Sequence, residues 1–265
     1  MPGTRIAAML LAAGRGERMR PLTDNRPKPL LSVRGKPLMQ WSLETLRRGG
    51  VTRAVVNTAW LGEQIEQAFG NVFSLQPLAH NNAAPLLNQQ PLQICYSHEG
   101  RDFGGALETA GGVSRALPLL CQPDARGECA ELFWLLAGDI FAPAFVFSQD
   151  AVERFAASDK LAHLWLVPNP AHNVGGDFGL GSTGLALNSA EVKYTYSTIG
   201  LYRRTLFAPP WCDIPAGNPQ GVKAPLAPLL RAAVDQGLIS AEIYHGDWTD
   251  IGTPERLQQL NGDKP

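Results

Sequence analysis

The stretch that most limits what this chain can become is Leu10-Leu11-Ala12-Ala13-Gly14-Arg15-Gly16-Glu17-Arg18-Met19-Arg20-Pro21-Leu22-Thr23, with Pro27-Lys28-Pro29-Leu30 close behind. An apolar run from Ile6 to Leu11 reads as a buried parallel strand that empties into a loop holding two glycines. Glycine has no Cβ, so backbone N–H groups in such a loop can face an anion at close range. Arg15, Arg18, Arg20 and Lys28 bring four cations near the same place, and Glu17 and Asp24 only partly offset them. This combination suits a polyphosphate, because arginine grips oxygens in pairs and lysine acts as a point charge.

Position excludes two commoner phosphate loops. A dinucleotide fingerprint needs a third glycine, and Met19 stands in its place after Gly14 and Gly16. A P-loop ending at Gly35-Lys36 needs a glycine at Leu30 and a hydroxyl residue at Pro37, so it fails twice.

Past the loop, the apolar pattern alternates between strands and helices. Lys36-Pro37-Leu38 opens a helix that Gly49-Gly50 stops; Arg53 to Asn57 reads as a strand and Leu61 to Phe69 as a helix. That rhythm implies parallel strands with helices on the faces, and a ligand at the carboxyl ends of the strands, where the glycine loop sits. Asn71 to Gln90 has no periodicity and reads as a mobile surface insertion. Leu92 to Ser97 is a strand, the segment from Glu108 through Leu119 is helical, and a second insertion spans roughly 118–131. Glu131 to Ala137 is a strong buried strand ended by Gly138-Asp139; a helix over Gln149 to Ser158 and a strand over Ala162 to Val167 follow. Residues 168–200, with β-prone pieces such as Val192 to Ile199, suggest an antiparallel lobe beside the main sheet. Helical signals return at Pro225 to Gln236 and Pro254 to Leu260.

At 265 residues the chain fits one large α/β domain, and no linker defines a second. A net charge of −1 gives no support to nucleic-acid or membrane-surface binding. Cys95, Cys121, Cys129 and Cys212 show no paired CxxC spacing, so a reduced cytoplasmic protein is expected, without a disulfide framework or a zinc site. The apolar run at 6–13 lacks a cleavage-like flank, and no segment approaches the length of a membrane span. The five histidines form no metal spacing and read as structural or solvated.

The loop and the Pro-Lys-Pro-Leu segment together resemble the signature of the sugar-1-phosphate nucleotidyltransferases. Gly-Glu-Arg-Met-Arg-Pro-Leu-Thr at 16–23, Asn57-Thr58-Ala59-Trp60-Leu61-Gly62, Asn169-Pro170 and Gly176-Asp177-Phe178 are most similar to the N-acetylmuramate-1-phosphate uridylyltransferases within it. The resemblance implies a Rossmann-like three-layer sandwich: a mostly parallel sheet, helices on both faces and a small antiparallel sugar-binding lobe. It implies a single nucleotidyltransferase domain over 1–265, with 1–140 mainly nucleotide-binding and 141–265 mainly sugar-binding together with the C-terminal helices. In that reading Leu11, Ala12, Gly14 and Gly16 meet the nucleotide, and Arg18 and Lys28 act on its phosphates.

Asp139, just past an apolar strand, either caps the next turn or sits beside a hard cation, and the residues alone weigh these evenly. The resemblance favours Mg²⁺, completed by Asp250 in the Trp248-Thr249-Asp250-Ile251-Gly252-Thr253 segment. Glu108, Gly111 and Gly112 either form the edge that reads the nucleobase or start a tightly packed helix. Asn169, Asp177 and the run Tyr194 to Thr198 offer sugar-hydroxyl partners, and close relatives tend to carry glycine where Thr198 falls. Trp60 and Trp248 are expected to pack. A muramate carboxylate would need a cation; Lys193 and Arg203 are the nearest in sequence, and Gly175, Gly176, Gly179, Gly181 and Gly184 would leave room for the bulk.

The expected reaction joins UTP to N-acetylmuramate 1-phosphate and releases pyrophosphate, in cell-wall recycling. The rival within the class is a mannose- or heptose-1-phosphate guanylyltransferase. From another class, the rival is a non-catalytic nucleotide-sugar-binding regulatory protein. Arg18, Lys28, Asp139 and Asp250 occurring together argue against the regulator, since binding alone does not require all four.

Overall fold

Apolar strands buried on both faces need two helical layers, and that requirement organises the computed structural model, which describes residues 6–74, 90–121 and 129–262. The elements run β1 (Ala7–Leu11), a short hairpin of β2 (Ser32–Val33) and β3 (Lys36–Pro37), α1 (Leu38–Arg48), β4 (Arg53–Thr58), α2 (Gly62–Phe69), β5 (Val72–Phe73), β6 (Leu92–His98), α3 (Glu99–Phe103) and α4 (Glu108–Leu120). There follow β7 (Leu132–Ala137), β8 (Ile140–Phe141), α5 (Gln149–Ala156), β9 (Ala162–Val167), β10 (Gly179–Leu180), β11 (Ala186–Leu187), β12 (Thr195–Arg203), α6 (Ala227–Asp235), β13 (Ile239–Ile243), β14 (Thr249–Asp250) and α7 (Pro254–Asn261).

Eight strands form the main sheet in the order β13-β9-β12-β7-β1-β4-β6-β5. β1 lies parallel to both β4 and β7, β6 extends the parallel set, and β13 is parallel to β9. Period-two alternation sorts the side chains. Ala8 and Leu10 of β1, with Trp134 and Leu136 of β7, face the layer holding Met39, Leu43, Ile65 and Phe155. Ala7, Met9, Phe133 and Leu135 face the layer of α4 and α6, through Val113, Leu117, Leu230 and Val234. The mostly parallel, three-layer expectation holds.

Three expectations need correction. The β-prone stretch before Ile199 does not stand beside the sheet. As β12 it runs antiparallel between β7 and β9, in the middle of it. Its antiparallel direction is as expected; alternating apolar residues with small and hydroxyl neighbours carry no sign of which strands it will lie between, which is why sequence misplaced it. Beside the main sheet, small antiparallel pairs form at β10–β11, β8–β14 and β2–β3, with single antiparallel bridges joining Phe178 to Tyr194 and Leu185 to Ser240. Within the first insertion, Val72 and Phe73 pair antiparallel with β6, and 75–89 lie outside the described residues. Finally, Cys121 and Cys129 are joined by a disulfide, with Cα atoms 4.9 Å apart. Cys121 follows α4 directly and Cys129 precedes β7, so the returning chain brings together two cysteines whose spacing carries no motif. Of the second insertion, 122–128 lie outside the described residues. No helix among the described residues is long and apolar enough to cross a membrane.

Candidate active site

The glycine loop leaves the sheet where β1 and β7 end side by side. Gly138 N donates to Leu11 O at 2.8 Å, and a Cβ on Gly138 would stand 2.9 Å from that oxygen, so only glycine lets the two exits lie this close. Gly16 sits at φ +69°, and its carbonyl accepts from Met19 N and Thr23 Oγ1, both at 2.9 Å. Met19 then buries into a small core with Leu31, Val33, Leu38, Phe141 and Ile251. Burial of each such side chain is worth about 1.5–3 kcal/mol. This core ties together the loop, the Lys28 turn, β8 and the exit of β14, which lie far apart in sequence.

The four cations divide into two pairs. Arg15 donates to Thr23 O at 2.8 Å and to Asp24 Oδ1 at 3.2 Å, and its guanidinium lies 3.8 Å from the Trp60 ring centroid. Arg20 Nε donates to the same Asp24 oxygen at 2.7 Å. These two shape the loop, and Trp60 packs there with its Nε1 on Thr23 O. Arg18 is exposed and takes part in no ion pair among the described residues, while buried Lys28 donates its Nζ to Asp139 Oδ2. Leu11, Ala12, Gly14, Gly16, Arg18, Lys28, Glu108 and Asp139 all line one cavity of about 510 Å³.

Backbone pairing brings the Asp250 segment to Asp139. Asp250 pairs with Ile140 across β8–β14, and Ile251 N donates to Asp139 O at 2.9 Å. The Asp139 carboxylate lines the cavity. That of Asp250 is turned to Arg256, whose Nη1 lies 2.5 Å from its Oδ1, and to His172 Nε2 at 3.1 Å. Two carboxylates with no nitrogen or sulfur donor requirement fit Mg²⁺, which takes one or two carboxylates and draws its other ligands from phosphate and water. For Asp250 the fit requires the carboxylate to exchange Arg256 for the ion.

Sequence reasoning named Asn57 only within a motif and missed Glu99 altogether. Both line the cavity from the carboxyl side of β4 and β6. Asn57 Oδ1 accepts from Ala12 N at 2.7 Å, and its Nδ2 donates to Glu99 Oε1 at 2.7 Å; Glu99 Oε2 accepts from Leu107 N at 2.8 Å. One buried amide and one buried carboxylate thus hold the glycine loop and the entry to α4 in fixed relation. Burial pushes the Glu99 carboxyl up, opposed by the Leu107 and Asn57 hydrogen bonds and the charge of Arg115. A polar residue closing an apolar strand was the available signal.

Gly111 and Gly112 do not reach the cavity. Ala110 N and Gly111 N both donate to Ala224 O, and a Cβ would come 2.4 Å from Val222 O at Gly111 and 2.6 Å from Glu99 Oε1 at Gly112. Their smallness serves helix packing, which matches the tightly packed helix start among the two roles expected for this segment. Glu108 and Thr109 line the cavity instead.

A second chamber of about 540 Å³ opens beside the first and shares Leu11, Glu108, Thr109 and Thr198 with it. Asp177 lines it, with Oδ2 accepting from Tyr196 N at 2.8 Å and Asn173 Nδ2 at 3.3 Å. Asn169 does not line it: its side chain is spent on Val174 O, Lys193 O and Thr195 Oγ1, which holds the 169–177 loop to β12. Arg203 is also elsewhere, donating to the carbonyls of Phe155, Ala156, Ser158 and Lys160. Neither Lys193 nor the glycines of 175–184 line the chamber; a Cβ on Gly176 or Gly179 would strike Lys193 C or Ala190 Cβ, so those two serve packing. Trp248 packs, with Nε1 on Ser197 O at 3.0 Å. Thr198 stands at φ +62°, inside the β12 irregularity between Tyr196 and Gly200. The left-handed backbone explains why glycine is the easier residue there.

The family model described as nucleotidyl transferase matches residues 7–184. The chain is 41% identical over 263 residues to an N-acetylmuramate alpha-1-phosphate uridylyltransferase of Neisseria meningitidis serogroup B, covering 96% of each. It is 30% identical over 265 residues to a protein of the same description from Caulobacter vibrioides, covering 94% of this chain and 92% of that one. Its fold is similar to that of a solved CTP:phosphocholine cytidylyltransferase from Streptococcus pneumoniae, with a TM-score of 0.64 at 16% identity, covering 98% of this chain and 99% of the other. HddC from Yersinia pseudotuberculosis complexed with GMP-PN gives the same TM-score and identity over 97% and 98%.

Proposed function

The chain belongs to the nucleotidyl transferase family, and from that premise we propose that it transfers the uridylyl group of UTP to N-acetylmuramate 1-phosphate, releasing pyrophosphate. The observation that carries the reading is the pair of contiguous chambers: one holds the glycine loop with Arg18, Lys28 and Asp139, and the other opens from its wall. A triphosphate in the first and a sugar in the second would meet at Leu11 and Thr198. Identity of 41% over nearly the whole length supports the choice of base and sugar. The division into a mainly nucleotide-binding part over 1–140 and a mainly sugar-binding part over 141–265 follows from the same reading, as does a cytoplasmic site of action where UTP is made.

A phosphate oxygen of the sugar phosphate attacks the α-phosphorus in line as pyrophosphate leaves. That oxygen is already ionised near neutral pH, so the chain need supply no general base; positioning and charge neutralisation carry the rate. Arg18, exposed and unpaired by any acid among the described residues, receives the β- and γ-phosphates. Lys28, now on Asp139, turns to the α-phosphate and the incoming phosphate. Asp139 and Asp250 would hold Mg²⁺, which supplies charge neutralisation on phosphate oxygens when bound. Asn57 and Glu99 keep the loop and the base-facing wall in register.

Pyrophosphate release over a grid of nucleotides and sugar phosphates tests this. N-acetylmuramate 1-phosphate with UTP should give the highest kcat/KM, at least about tenfold above N-acetylglucosamine, glucose or mannose 1-phosphate, since one charge-assisted contact is worth roughly 1.5–3 kcal/mol. Mannose 1-phosphate with GTP as the best pair would refute the substrate assignment and leave the family standing.

A further inference from the structure

We propose that Arg231, on α6, is the residue that selects an acidic substituent on the sugar phosphate; this rests on the reading above. Among the described residues lining the second chamber Arg231 is the sole cation, where the acids are Glu108 and Asp177. Sequence proximity points to Lys193 and Arg203, but Lys193 does not line the chamber and the Arg203 guanidinium is committed to four backbone carbonyls.

Arg231 is held in place and yet mostly unspent. Its guanidinium lies 5.2 Å from the Phe178 ring centroid, and Nη1 donates to Asn188 Oδ1 at 3.2 Å. It takes part in no ion pair among the described residues. A guanidinium carries five N–H donors, so one bond to Asn188 leaves a fork for a carboxylate. The aromatic face and the amide reduce the rotamer freedom that binding would otherwise cost.

Location decides which anion it meets. The phosphates belong to the first cavity with Arg18 and Lys28, so a group reaching Arg231 is a substituent on the far side of the sugar ring. Apolar Leu226 and Leu230 line the wall next to it, which suits a branched carboxylate such as a lactyl ether rather than a bare hydroxyl. Arg231 is exposed, so the carboxylate stays partly wet and avoids the cost of a buried anion. The selection is therefore expected to be near tenfold rather than absolute.

The test compares three acceptors with UTP: N-acetylmuramate 1-phosphate, the same compound with its lactyl carboxylate converted to the amide, and N-acetylglucosamine 1-phosphate. Wild type, Arg231→Gln, Arg231→Lys and Asn188→Ala are each assayed. Wild type should favour the acid over the amide by about tenfold in kcat/KM. Arg231→Gln should erase that preference by raising KM for the acid alone, with the other two acceptors within about twofold of wild type. Arg231→Lys should keep part of the preference, and Asn188→Ala most of it. An Arg231→Gln enzyme that still prefers the acid, or that loses activity equally on all three, overturns the assignment while the uridylyl-transfer reading stands. A wild type that uses N-acetylglucosamine 1-phosphate as well as the muramate compound sinks the substrate reading itself, and Arg231 with it.

Discussion

Replacing Glu99 by glutamine should change the stability of the protein in a pH-dependent way whose sign the structure fixes. Glu99 is 0% exposed, and its two oxygens accept from Asn57 Nδ2 and Leu107 N. Glutamine offers one oxygen, so its amide nitrogen must face one of those donors, leaving a buried N–H unsatisfied at a cost of roughly 1–3 kcal/mol. Wild type also titrates. Burial raises the folded-state pKa of Glu99 above its unfolded value, so the native state binds more protons than the unfolded state between the two. The contribution of this group is thus fully present below the usual glutamate range and is lost as pH rises through the raised value, at up to about 1.4 kcal/mol per pH unit. Glutamine does not titrate, so the penalty of Glu99→Gln is largest in acid and shrinks toward neutral pH. Urea unfolding of both proteins between pH 4.5 and 8 measures the gap. A gap that is constant or widens with pH would refute the buried-acid account of this wall.

Lys28→Met should lower kcat at least about a hundredfold with little change in KM for UTP, because charge is removed where it develops at the α-phosphorus; a change confined to KM would make Lys28 a passive binding group. Asp139→Asn should abolish turnover with an unchanged circular dichroism spectrum, and EDTA should silence wild type until Mg²⁺ is restored, whereas full activity in EDTA excludes the metal. Thr198→Gly should raise stability by about 1 kcal/mol, since relief of roughly 1–2 kcal/mol of left-handed strain exceeds the chain-entropy cost of glycine. Calorimetry should show this as a Tm higher by a few degrees, and a lower Tm would mean the conformation at φ +62° is not strained.

Much of the fold was legible because it rests on local patterns. Buried parallel strands such as Leu132–Ala137 announce themselves as apolar runs, and glycine pairs end helices where the backbone must turn. The place of β12 inside the main sheet was not legible, since a strand's position is set by which neighbours it meets rather than by its own residues. At the site, the loop and Lys28 were readable from charge and glycine spacing. The approach of Asp250 to Asp139 needed the β8–β14 pairing and the small core around Met19 and Phe141. At Gly111 and Gly112 sequence left two roles open, because a glycine required by packing reads the same as one required by a ligand; the close contacts with Val222 O and Glu99 show the packing role. Glu99 was overlooked because a charged residue after a strand usually faces water, and only the surrounding structure shows it buried. Arg231 lies more than two hundred residues from the loop, and nothing in its own helix marks it as facing a chamber.

The central claim is that the nucleotidyl group, and no other part of the nucleotide, moves to the sugar phosphate. The most direct measurement incubates the wild-type protein with Mg²⁺, N-acetylmuramate 1-phosphate and UTP labelled with ³²P either at the α- or at the γ-phosphate, then separates the products. The account predicts that α-label appears in the nucleotide sugar and γ-label in pyrophosphate, in equal amounts. Label from the γ-position in the sugar product, or α-label released without attachment to sugar, would contradict it.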